Sequence, residues 1–106
     1  MSISSIGLSG MRAAQMQLDT SAHNVANAQT PGFQRQAVAL TAQGGSGGVT
    51  TQTVQEASAR AERGADFGRL AEDMVTQQVS VYSFAANLRS VETEDRMLGA
   101  LLDTRA

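Results

Sequence analysis

The chain has 106 residues, a formal net charge of −2, no Cys, no Trp and only 4% aromatic residues. That length makes one small domain, and a core of Ala, Val, Leu and Met with few aromatics is marginal unless it is buried against other chains. The slight acidity leaves no basic face for nucleic acid, and the absence of Cys excludes disulfides and thiolate metal sites. No apolar run approaches the roughly 20 residues of a membrane-spanning helix. Met1 to Gly10 mixes apolar and polar residues, so a cleaved secretory signal is not expected.

The first segment, from about Ser4 to Asn27, reads as a helix of roughly 35 Å. Met11, Leu18 and Val25 are spaced seven apart, with Leu8, Ala14 and Ala22 flanking them in one apolar stripe. Gly7 and Gly10 weaken its first turns, each by up to about 1 kcal/mol relative to Ala. Pro31 disfavours the α conformation at Thr30, which ends the helix near Asn27 or Ala28, and Asn27 suits a left-handed C-terminal position.

The segment Thr30-Pro31-Gly32-Phe33 predicts a type II turn, with Pro at a preset φ and Gly where φ must be positive. Val49 to Val54 is β-branched and strand-prone, whereas Phe33 to Thr41 alternates poorly. The Gly44–Gly48 run between them reads as a flexible link, so a small hairpin with a loose tip is expected. Gln55 to Gly64 is rich in Ala and charge and fits either a helix or an unstructured link.

The second helix is expected from about Asp66 to Asp103, roughly 55 Å long. A heptad series starting at Phe67 reads Phe67, Leu70, Met74, Gln77, Val81, Phe84, Leu88, Val91, Asp95, Leu98, Leu102, Arg105. All but Gln77, Asp95 and Arg105 are apolar, which is a coiled-coil seam in which the polar interruptions set register. Val75, Val79, Tyr82, Ala86, Met97 and Leu101 form a second line on a neighbouring face. One seam suits one partner helix; two suit neighbours on both sides.

The stretch Asn24-Val25-Ala26-Asn27-Ala28-Gln29-Thr30-Pro31-Gly32-Phe33, preceded by Ser9-Gly10-Met11 and Gln17-Leu18-Asp19, resembles the N-terminal signature of bacterial flagellar rod and hook axial proteins. Glu72-Asp73-Met74-Val75, Phe84-Ala85-Ala86-Asn87, Thr93, Met97-Leu98 and Leu101-Leu102-Asp103 resemble the C-terminal pattern of the same family. About two thirds of the chain is covered. The resemblance implies a mainly α fold, with long N- and C-terminal helices pairing as an antiparallel coiled coil around a small β-hairpin or extended middle. It divides the chain into an N-terminal axial helix (1–29), a turn, short hairpin and Gly-rich connection (30–65) and a C-terminal coiled-coil helix (66–106).

The function implied is that of a structural subunit of the flagellar rod or hook–basal body, with other axial proteins and copies of itself as partners. Such subunits leave the cell through the flagellar type III export apparatus without a cleaved signal and reside in the periplasm-spanning basal body, without cofactor or membrane insertion. The motif and turn residues are Asn24, Asn27, Thr30, Pro31, Gly32 and Phe33. The assembly interface is expected at Met11, Leu18, Val25, Leu70, Met74, Val81, Phe84, Asn87, Leu88, Val91, Leu98 and Leu102. His23 stands where the family commonly has another Asn, and Phe84 where Tyr is usual. The short middle, about Gln34 to Asp66, excludes the large outer domains of hook proteins and points to the small proximal rod proteins. The alternative is a free-standing coiled-coil adaptor, or a divergent paralogue outside the filament.

Groups that resemble catalytic or ligand sites have plainer readings. His23, the only His, lacks Cys or a carboxylate cluster and reads as a helix-surface residue. Glu72-Asp73 and Glu92-Glu94-Asp95 read as solvated helix faces. The Gly run lacks the Lys-Ser/Thr of a phosphate loop. Asn24 and Asn27 suit helix-end bonding, or backbone bonds across a subunit boundary. No nucleophile–base set is credible, and no enzymatic activity is expected.

Overall fold

The computed structural model describes residues 3–30, 33–55 and 63–105. Helix α1 spans Ile3–Ala26, strands β1 (Gln36–Ala42) and β2 (Val49–Gln55) form an antiparallel hairpin, and helix α2 spans Arg63–Arg105. The mainly helical fold, with two long helices packed together and a small two-stranded sheet between them in sequence, is the expected one. The molecule measures 65 × 26 × 15 Å. The long dimension is that of α2, whose 43 residues at about 1.5 Å each account for it.

The helices run antiparallel. Ser4 Oγ bonds Glu94, a Cβ at Gly7 would meet Val91, and one at Gly10 would meet Asn87. Ser21 Oγ donates to the carbonyl of Asp73 at 2.8 Å. The face of α2 turned to α1 is therefore Asp73, Ser80, Asn87 and Glu94, spaced seven apart, with Val91 beside them. Opposite lie Gly7, Gly10, Ala14 and Ser21, so the intramolecular seam is made of small and polar residues. The apolar heptad line of α2, expected from sequence at the assembly interface, is offset from this inner seam. Heptad spacing is kept, but the line is rotated, because only small side chains let two helices approach this closely.

Polar groups tolerate burial here because they bond the helix's own backbone. Ser80, 1% exposed, donates to Thr76 O at 2.7 Å, and Asn87 Nδ2 donates to Ser83 O at 2.8 Å. Gly7 and Gly10, expected only to weaken α1, sit where α2 comes close: an added Cβ at either would lie 2.6 Å from a neighbour.

The hairpin lies on the neighbouring face of α1. Its register is unbroken from Gln36 opposite Gln55 to Ala42 opposite Val49. The tip is not loose. Gly47 and Gly48, at φ 73° and 95°, press onto Ile6 and Ser9, and Val49 N–H donates to Ser9 Oγ at 3.2 Å. Glycine is required there both for the positive φ and for the close approach. Residues 56–62, which fit two readings in sequence, lie outside the described residues. Asn27 is not left-handed, since no described residue other than glycine has positive φ. It closes α1 instead by donating from Nδ2 to His23 O at 2.9 Å, while Thr30 Oγ1 donates to its Oδ1.

Candidate functional site

Two regions bear on function: a polar junction that fixes the subunit's shape, and an apolar surface that the subunit does not use internally. The junction gathers α1, the segment before β1 and α2. Asn24, 3% exposed, donates from Nδ2 to Gln36 O at 2.7 Å and accepts from Gln36 N–H at Oδ1 at 2.9 Å. Its amide thus mimics a neighbouring strand and fixes where β1 begins. Next in sequence, Arg35 grips Asp73 with two bonds, Nη1 to Oδ2 at 2.9 Å and Nη2 to Oδ1 at 2.6 Å. The Asp73 side chain is 7% exposed and that of Arg35 23%, so this is a forked, largely desolvated ion pair.

These contacts correct one reading from sequence. Asp73 is not part of a solvated face, although Glu72 beside it is exposed. The Asn24 amide makes both of its bonds to Gln36 within its own chain. Asn27 and Thr30 close the helix end, Thr30 O accepts from Phe33 N–H at 3.3 Å, and Phe33 meets the His23 ring edge-on with centroids 5.2 Å apart. Pro31 and Gly32, on which the turn type rests, lie outside the described residues. The Arg35–Asp73 pair was missed because it joins positions far apart in sequence; the seven-residue spacing of Asp73, Ser80, Asn87 and Glu94 was the available signal.

The apolar residues of α2 point elsewhere. Met74, Val81, Phe84, Leu88, Leu98 and Leu102 are all exposed, at 40% for Phe84 and Leu88 and up to 71% for Leu102. On the other flank Val75, Val79, Tyr82, Met97 and Leu101 are exposed by more than half. Met11, Leu18, Val25 and Leu70 are half-buried, as are Asn87 and Val91 at the internal seam. Leu18 and Ala14 face Val81 and Phe84 across an open apolar groove of about 280 Å3 running between the helices. Residues 74–88 contain no charged side chain.

Among the described residues no three His, Cys, Asp or Glu side chains converge as a metal site, and no helix is long and apolar enough to cross a membrane. No curated protein matches the chain. The family model described as "Flagella basal body rod protein" matches residues 5–34, which is α1 together with the turn that closes it. Through α1 and that turn, the chain carries the signature of the flagellar basal-body rod family.

Proposed function

We propose that this protein is a structural subunit of the flagellar rod that joins a helical axial array by packing both flanks of α2 against neighbouring subunits. One observation carries the reading: α2 already has α1 as a partner, yet residues 74–88 remain uncharged and expose apolar side chains on both sides of the internal seam. Met11, Leu18 and Val25 extend the same surface across the groove onto α1. The neighbours are copies of this chain and other rod or hook subunits, and the location is the basal body. Export through the flagellar type III apparatus fits the family signature.

Val79→Asp on one flank and Leu88→Asp on the other test this directly. Both positions are at least 40% exposed in the free subunit, so each substitution should change its stability by no more than about 1 kcal/mol. In the array each would bury an unpaired carboxylate. Isolated basal bodies should lack both variants, and cells carrying either should be non-motile. Normal incorporation of both would sink the proposal. A wild-type protein confined to the cytosol, with motility intact after its deletion, would favour the free-standing adaptor instead.

A further inference from the structure

We propose that the free edge of β2 pairs with β2 of a second copy of this chain, antiparallel about a two-fold axis near Gln52. The product is a four-stranded sheet with the two α1 helices side by side beneath it. The starting observation is an edge that, among the described residues, is capped only at Val49, whose N–H bonds Ser9, and carries none of the usual safeguards along Thr51 and Thr53. Sheet edges are normally blunted by charge, proline or a bulge, yet residues 36–55 contain no charged residue and no proline, and the ladder is unbroken.

The hydrogen-bonding phase shows what this edge offers. Gln43 N–H donates to Gly48 O at 3.0 Å, so in the antiparallel alternation Thr50, Gln52 and Val54 turn their backbone groups toward β1. Val49, Thr51 and Thr53 turn theirs outward, and the bond from Val49 N–H to Ser9 Oγ agrees with this phase. A second β2 laid about Gln52 sets Thr51 opposite Thr53 and Thr53 opposite Thr51, each pair exchanging backbone bonds, with threonine facing threonine.

The choice of β2 over β1 follows from where α2 lies. Gln36, Ala37 and Val38 of β1 share a cleft with Glu72, Asp73 and Thr76 of α2, so α2 stands on the β1 side. β2 meets the other side of α1, where Thr53 Oγ1 reaches Met16 Sδ at 3.8 Å. Among the described elements, two β2 edges can meet without a helix between them.

Two further features make the partner a copy of the same chain. Adjacent hairpins in one sheet have centres two strand spacings apart, about 9.6 Å, and packed helices stand about 8–10 Å apart, so sheet and helices fit at one separation. At about 100° per residue, Arg12 and Asp19 lie on the β2-side flank of α1. Both are exposed, and they are its only Asp, Glu, Lys or Arg residues. Their midpoint lies next to Met16, which sits beneath Thr53. The axis that pairs the strands therefore brings Arg12 of each copy to Asp19 of the other.

The two long axes are opposed in such a dimer, so it is a state of the free subunit and separate from a polar axial array. The chain has no Cys, which makes single-cysteine variants unambiguous. Gln52→Cys sits at the axis in a close non-hydrogen-bonded pair. Ala39→Cys, opposite Gln52 in the hairpin and also exposed, would be three strand spacings from its own copy. Under mild oxidation Gln52→Cys should form a disulfide dimer at least about ten-fold faster than Ala39→Cys. Equal rates, as association through α2 would produce, overturn the proposal, as does wild-type protein that sediments as a monomer at every concentration tested.

Arg12→Asp and Asp19→Arg should each weaken association about ten-fold, because each places two like pairs across the axis, and the double variant should restore it. Failure of the double variant to recover overturns the pairing. These experiments read dimerisation of the free protein and not incorporation, so this inference and the axial role fail separately.

Discussion

Asp73 shows how burial sets the weight of a single charge. Its carboxylate has left water and is compensated by the two bonds from Arg35, whereas Glu72 next to it stays 65% exposed and only 4.0 Å from Arg69. Arg35→Ala leaves a buried carboxylate without its main partner and should lower unfolding stability by about 3 kcal/mol. Glu72→Ala should change it by no more than about 0.5 kcal/mol. Urea unfolding followed by circular dichroism compares the two, and equal midpoints would show that the Arg35–Asp73 pair does not hold the subunit together. Asn24 acts by the same logic with neutral groups: its two bonds to Gln36 settle where the chain leaves the turn and enters β1.

At the scale of the elements, glycine has opposite meanings in the two helices. Gly7 stands where α2 comes close, with Val91 Cγ2 only 2.6 Å from an added Cβ, while Gly99 has nothing within 4 Å. Gly7→Leu should separate the helices and cost about 1–3 kcal/mol through overpacking. Gly99→Ala should stabilise by up to about 1 kcal/mol through helix propensity alone. Thermal melts of the two variants should move in opposite directions. The pair also explains why hydrophobic patterning located α2 but did not mark its inner face. Patterning weights Leu and Val, but close approach of two helices selects Gly, Ala and Ser.

For the whole molecule, the unequal helix lengths matter most. α1 ends its run near Glu94, and α2 continues to Arg105 with Leu98, Leu101 and Leu102 half or more exposed. With no α1 beside this tip, Leu101→Ser combined with Leu102→Ser should leave unfolding stability within about 0.5 kcal/mol of the parent. The same change should markedly raise solubility, because it removes an apolar patch from a helix end. Solubility measured by precipitation, beside a melting curve, separates the two effects; a large loss of stability would show that the tip is folded against something internal.

The sequence by itself determined the two helices, the turn that ends the first, a strand-prone middle and the rod-family signature in 5–34. These are local properties, set by apolar period, by proline and glycine positions and by short motifs. Tertiary structure alone decided which face of α2 meets α1, that Asp73 is buried against Arg35, that the glycine-rich tip docks on Ile6 and Ser9, and which strand of the hairpin lies beside α2. Each depends on residues far apart in the chain coming within contact distance. Heptad spacing is shared by the small polar seam and the apolar flanks, so period alone could not say which of them faces α1.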